Sequence, residues 1–265
     1  MQTIAIIGCG AIAEAVAGYL ADYDSVEIVL AIIEPGMDSQ ARDVFGENVE
    51  IAYKINDVST HIDLAVDCAG HAALRQHGEA VLSHGVNLIS VSSGALADAA
   101  LYDKLTAAAR RGRSQLRLVS GAIGSLDALS ASSVGALKQV TYRGRKPPKG
   151  WRGSPAESKL DLDTLSEAAV HYSGSARNAA LEYPRNANVA ASVALAGIGF
   201  DDTIVELIAD PGVTRNVHEI TAEGDFGRYE FRIEGKSLPD NPRSSAITAM
   251  SVVREILNPT SPIVI

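Results

Sequence analysis

Apolar residues come in short runs through the first part of the chain, at positions 3–7, 26–33, 64–67, 87–91 and 116–119. Between them, segments 11–20, 72–83 and 98–111 read as helices. Apolar runs of roughly four to eight residues without alternation suit strands buried on both faces. Strands alternating with helices predict a parallel sheet covered on both sides. The pattern changes after Ser120. Positions 136–142 suggest a strand, 143–158 a Gly-, Pro- and Lys/Arg-rich loop, and 188–196 an Ala-rich helix. Three more strands are expected at 203–209, 217–223 and 227–233, with turns at Asp210-Pro211-Gly212 and at 224–227. Such short connections call for antiparallel neighbours, because a parallel crossover needs about a dozen residues. In the last strand Tyr229, Phe231 and Ile233 share one face, and Arg228, Glu230, Arg232 and Glu234 share the other, which predicts a half-exposed strand. A final helix follows Pro242 and runs to about Leu257.

The turn after the first strand narrows the fold. Gly8-Cys9-Gly10-Ala11-Ile12-Ala13 is a GxGxxA string between a strand and a helix. Gly8 permits the tight turn, Gly10 lets a pyrophosphate approach the backbone, and Ala13 lets the helix lie close to the strand. The helix start at Ala11 and Ile12 offers unpaired N–H groups and partial positive charge to phosphates. The second strand ends at Glu34, placed to accept hydrogen bonds from the adenosine ribose and to repel a 2′-phosphate. The pattern predicts a Rossmann-type doubly wound sheet that binds NAD in preference to NADP. Glu34 could equally be a solvated strand end. No Arg follows it directly, although Arg42 is not far away.

Composition removes several classes of function. The 265 residues carry a net charge of −9, which disfavours a nucleic-acid partner. No apolar run approaches the roughly 18 residues of a membrane span, and nothing at the N-terminus reads as a signal peptide. A cytoplasmic protein with reduced thiols is the expectation. The two cysteines, Cys9 and Cys68, lack metal-ligand spacing and are expected to pack as small apolar groups. No metal-binding string is present, so no metal is expected.

More specific strings lie in the second half. They are Ser120-Gly121-Ala122-Ile123-Gly124, then Tyr183-Pro184-Arg185-Asn186-Ala187-Asn188-Val189-Ala190-Ala191, then Asn216-Val217-His218-Glu219-Ile220 and Leu238-Pro239-Asp240-Asn241-Pro242. With the glycine loop, these strings resemble the L-aspartate dehydrogenase family over essentially the whole chain. The resemblance implies His218 as the catalytic histidine and Ala122 and Asn188 as contacts of the nicotinamide. It implies NAD(P)-dependent oxidation of L-aspartate to iminoaspartate, which yields oxaloacetate and ammonia or enters NAD biosynthesis, in a homodimer. Ala13 departs from the commoner third glycine. By analogy with other two-domain reductases, residues 1–120 would form the dinucleotide domain, with 242–265 packing back on it. Residues 121–241 would form an α+β catalytic and dimerisation domain with an antiparallel sheet.

The residues allow this chemistry without compelling it. His218 shares a strand face with Ile220 and Ala222, which would desolvate it and favour the neutral, basic form. From pattern alone a core histidine holding one hydrogen bond fits as well. His171, ahead of Ser173-Gly174-Ser175, is the next candidate. A dicarboxylate needs cations, and Arg143-Gly144-Arg145-Lys146-Pro147-Pro148-Lys149 supplies them, with Arg145 and Lys146 as candidate substrate ligands. That run reads either as a solvated loop or as a closing lid. Asn188 could be a ligand or an N-cap. Related two-domain dehydrogenases with other substrates share this plan, and an NAD(H)-binding sensor without turnover remains open.

Overall fold

The computed structural model describes residues 1–184, 188–238 and 241–264, with the side chains of 241–244 excepted. The chain divides into two compact units, Met1–Val119 with Thr248–Ile265, and Ser120–Ile247.

The first unit contains β1 (Gln2–Ile7), α1 (Ala11–Leu20), β2 (Val26–Ile32), α2 (Asp38–Phe45), β3 (Glu50–Ala52), β4 (Leu64–Asp67), α3 (His71–Ser83), β5 (Asn87–Ser90), α4 (Ala99–Gly112) and β6 (Leu116–Leu118). All strand pairs are parallel, in the order β3-β2-β1-β4-β5-β6. The order reverses between β1 and β4, and sheets of this kind bind ligands beyond the carboxyl ends of the strands at that point. Both faces of β1 are covered. Ile4 and Ile6 pack with Ala13, Val16 and Leu20 of α1, while Ala5 and Ile7 on the other face are equally buried. Burying each such side chain contributes about 1.5–3 kcal/mol. That double coverage explains the unbroken apolar runs.

Neither α2 nor β3 was expected. Helix α2 buries only Ala41, so its apolar stripe is too thin to register. Strand β3 is a three-residue edge that begins with Glu50.

The second unit contains α5 (Leu126–Ser132), β7 (Leu137–Lys146), β8 (Ala169–Ser175), α6 (Ala176–Glu182), α7 (Asn188–Ala196), β9 (Ile204–Ala209), β10 (Asn216–Gly224), β11 (Gly227–Gly235), β12 (Ser237–Leu238) and β13 (Asn241–Ser245). Its main sheet is ordered β11-β10-β7-β9-β8. Two expectations are corrected by this sheet, and two elements were not anticipated. First, Arg143–Lys146 is strand, not loop: β7 continues to Lys146 and is paired with β9 on one side and β10 on the other. Two neighbours hold the run extended despite Gly144 and the charges, and Pro147-Pro148 ends it. Second, β9 does not pair with β10. Strand β7 lies between them, parallel to β9 and antiparallel to β10, so the sheet is mixed. The segment 210–215 has only to span two strand spacings, about 10 Å. Strand β8, which ends in the polar Ser173-Gly174-Ser175, and the seven-residue helix α6 were not anticipated.

Strand β11 alternates as expected, with Tyr229, Phe231 and Ile233 half-buried between exposed charged residues. The last helix, α8 (Ala246–Leu257), begins four residues beyond Pro242 because β13 occupies 241–245. Its Ala249, Val252, Val253 and Ile256 join the cluster of Ile4, Ile6 and Val16 in the first unit.

Candidate active site

In the first unit the glycine loop has the geometry that a dinucleotide phosphate site requires. Gly8 has φ +94, and a Cβ there would lie 2.7 Å from the Cβ of Ala69, so no other residue fits without strain. At Gly10 a Cβ would meet nothing within 4 Å, which leaves the backbone approachable. Gly10 is also the N-cap of α1, and no side chain caps this helix. The first N–H groups, at Ala11 and Ile12, therefore suit an anion. The Gln40 side chain donates to the Cys9 carbonyl at 2.9 Å and ties α2 to the loop. Cys9 and Cys68 are both buried, and burial raises both thiol pKa values, so neither is a nucleophile.

Glu34 is exposed just past the end of β2. Arg42 is not positioned as a phosphate ligand. Its Nη1 donates to the carbonyls of Glu47 at 2.8 Å and Val49 at 2.6 Å, closing the end of α2. Asp67, at the end of β4, was missed by sequence reasoning. This buried carboxylate accepts from Ser90 Oγ at 2.6 Å, Ser92 Oγ at 2.7 Å, Ala69 N at 3.0 Å and Gly70 N at 3.3 Å. It thus fixes the loops after β4 and β5. The signal was available: an acid closes an apolar strand, and serines close the next one.

In the second unit the sheet register sets the chemistry. His218 of β10 lies opposite Gly144 of β7, which is opposite Leu207 of β9, which is opposite Tyr172 of β8. Side chains alternate along a strand, so Tyr142, Lys146, His218 and Tyr172 share one face. His218 is 5% exposed, and its Nδ1 lies 2.7 Å from the Tyr142 hydroxyl. Burial, aided by the Lys146 charge, lowers the His218 pKa to about 3. Burial raises the Tyr142 pKa. Lys146 sets its ammonium 4.9 Å from the ring centroid of fully buried Trp151, and burial lowers its pKa to about 8.

Arg145 is on the opposite face. Its guanidinium donates to Asp210 at 2.7 Å, beside the Arg143–Glu206 pair at 2.5 Å. The structure thus brings Lys146 together with His218 but leaves Arg145 in a structural ion pair. Among the described residues no group of three or more His, Cys, Asp or Glu is placed to hold a metal, and no helix is long and apolar enough to cross a membrane.

Residues 127–259 match the family described as aspartate dehydrogenase, C-terminal, and residues 8–118 match the one described as homoserine dehydrogenase, NAD binding domain. An L-aspartate dehydrogenase of Ruegeria pomeroyi is 54% identical over 250 residues, covering 94% of this chain and 90% of that relative. The chain belongs to the aspartate dehydrogenase family. Another relative, the L-aspartate dehydrogenase of Cupriavidus necator, is 46% identical over 97% of both chains. Among solved structures, an aspartate dehydrogenase from Thermotoga maritima matches with a TM-score of 0.78 at 28% identity, covering 100% of this chain and 99% of that one. A hyperthermophilic archaeal homoserine dehydrogenase, solved with NADPH, matches at 0.60 and 12% identity, a likeness of fold alone.

The strings that resembled the aspartate dehydrogenase family fall mostly on the second unit. His218 is within β10. Ala122 sits in a turn closed by the Ile123 N–H on the Ser120 carbonyl at 3.3 Å. Asn188 opens α7 and is half-buried. Arg185, Asn186 and Ala187, and likewise Pro239 and Asp240, lie outside the described residues.

Proposed function

We propose that this protein oxidises L-aspartate with NAD, giving iminoaspartate, NADH and a proton, and that water then converts the imine to oxaloacetate and ammonia. The observation that carries the chemistry is the buried His218–Tyr142 pair on the face it shares with Lys146. A dicarboxylate with one ammonium needs a cation and a proton acceptor, and this face supplies both.

The glycine loop fits NAD by its open backbone at Gly10 and its uncapped helix. Gly8, Gly10, Ala11 and Ile12 would hold the pyrophosphate, Glu34 the ribose, and Ala122 and Asn188 the nicotinamide end. Bound nicotinamide supplies the hydride acceptor. Exposed Glu34, with Arg42 committed to backbone carbonyls, favours NAD over NADP.

His218 takes a proton from the substrate ammonium, or from the water that adds to the imine. A base at Nε2 needs the tautomer with hydrogen on Nδ1, donated to the Tyr142 oxygen, so Tyr142 is a positioning residue. In the free protein His218 is a weak base, held down by burial and by Lys146. A bound dicarboxylate would offset the Lys146 charge and raise the basicity of His218 as substrate arrives. We also propose a cytoplasmic homodimer, supported by the family resemblance and by the two buried free thiols.

The test is NADH formation with a panel of L-amino acids, with the product identified by mass spectrometry. Activity confined to L-aspartate, with oxaloacetate as product, supports the reading. No turnover of aspartate in either direction with either cofactor contradicts it.

A further inference from the structure

A second histidine stands beside this face with one nitrogen unused. His171 is 5% exposed, and its Nε2 is buried without a hydrogen-bond partner. It sits at an irregularity of the sheet. Val170 pairs with Ile208 and Tyr172 with Leu207, so His171 is an extra residue opposite nothing. Bulges of this kind re-aim a side chain. Here His171 and Tyr172 are both buried against the ring of Tyr183, at centroid distances of 5.4 Å and 5.6 Å.

The other nitrogen is already engaged. His171 Nδ1 lies 3.1 Å from the Tyr183 hydroxyl, and Lys159 Nζ donates to that hydroxyl at 3.4 Å. The Tyr183 hydroxyl can accept from Lys159 and at the same time donate its own hydrogen to Nδ1. In that arrangement neutral His171 carries its proton on Nε2, a buried donor without an acceptor. A buried polar group left unsatisfied is destabilising, so its persistence calls for an explanation.

The surroundings specify the missing acceptor. The His171 ring packs edge-on to Trp151 at 4.3 Å, and the Lys146 ammonium stands over the same indole at 4.9 Å. The charge of Lys146 is felt by both His171 and His218, and that of Lys159 by His171. An N–H donor among ammonium groups suits an anion.

We propose that His171 Nε2–H and the Lys146 ammonium form a carboxylate subsite that holds the substrate carboxyl remote from the carbon being oxidised, making His171 a specificity determinant for dicarboxylates. This deepens the reading of the protein as an aspartate dehydrogenase and rests on it. His218 works on the amine end, and Lys146 links the two histidines.

The experiment compares wild type, His171→Phe and His171→Gln. Phenylalanine keeps the ring against Trp151 and Tyr183 but removes the donor, whereas glutamine restores an N–H. For His171→Phe the expected result is a rise of about 10- to 100-fold in KM for L-aspartate and in the inhibition constant of succinate. Its kcat should stay within about threefold of wild type, NADH affinity should be unchanged, and inhibition by propanoate should be little altered. His171→Gln should recover part of the loss. Equal KM and succinate inhibition in His171→Phe and wild type would overturn the proposal. Should His171→Phe fail to fold, the imidazole nitrogen resonances of labelled wild-type protein decide. A succinate-dependent shift of His171 Nε2 supports the subsite, and no shift at saturating succinate overturns it. Wild type inactive on aspartate whose His171 still responds to succinate would separate failure of the activity from failure of the subsite.

Discussion

The Tyr142 hydroxyl stands 2.7 Å from Nδ1 of His218, and it does so over Gly144, where a Cβ would lie 2.7 Å from the same hydroxyl. The glycine inside a basic run is therefore a clearance for the tyrosine that orients the histidine. Gly144→Ala should displace the hydroxyl and lower kcat by about tenfold, with NADH affinity unchanged. Tyr142→Phe should do the same. The double variant should be no worse than either single, because both remove one contact. Steady-state kinetics of the three proteins check this, and additive losses would count against the shared cause.

If Lys146 holds the substrate as proposed, it carries the pH dependence of binding. Its pKa of about 8 means a cation below that pH and a neutral amine above it. Succinate inhibition should therefore weaken as pH rises through about 8, well before an ordinary lysine titrates. Lys146→Met should bind succinate poorly and with no pH dependence in that window. Its His218 should titrate higher, because a neighbouring positive charge is gone. Inhibition constants measured from neutral pH to above pH 9 decide the point.

Stability should respond to acid through the two buried histidines. His218 and His171 have folded pKa values lowered from 6.5 to about 3 and about 4. Below about pH 6.5 the unfolded chain takes up protons that the folded chain refuses. Their contribution is fully present above that pH and is lost as pH falls toward 4, by up to about 1.4 kcal/mol per pH unit for each histidine. Urea unfolding across this range should show the slope, and His171→Phe should flatten it by about half. An unchanged slope would mean that His171 titrates normally.

Glu34 sets the cofactor preference in this account. Glu34→Ala should reduce the preference for NAD over NADP by at least several-fold. Equal kcat/KM ratios in wild type and variant would show that Glu34 does not meet the ribose.

How much of this was legible in the sequence depends on where the determining information sits. The strands of the first unit announced themselves because burial on both faces leaves uninterrupted apolar runs such as 4–7, and Gly8 because only glycine tolerates its turn. The β10 face was legible from alternation: His218, Ile220 and Ala222 are all buried. The sheet order of the second unit was not, since it depends on β7 inserting between strands close in sequence, a long-range pairing with no local mark. For the same reason Arg145 and Lys146, adjacent in the chain, could not be told apart until register put them on opposite faces. His171 was named as the second candidate histidine, but its burial was not legible, because the bulge breaks the alternation that would have marked it. Asp67 was legible as an acid closing an apolar strand, but its pairing with Ser90 and Ser92, more than twenty residues away, was not.

The measurement that tests the central claim most directly is L-aspartate-dependent NADH formation by His218→Ala beside wild type, on protein whose NADH affinity has been determined. The account predicts unchanged NADH binding with turnover lower by roughly 10²–10⁴. Turnover equal to that of wild type would remove His218 from the chemistry and contradict the account.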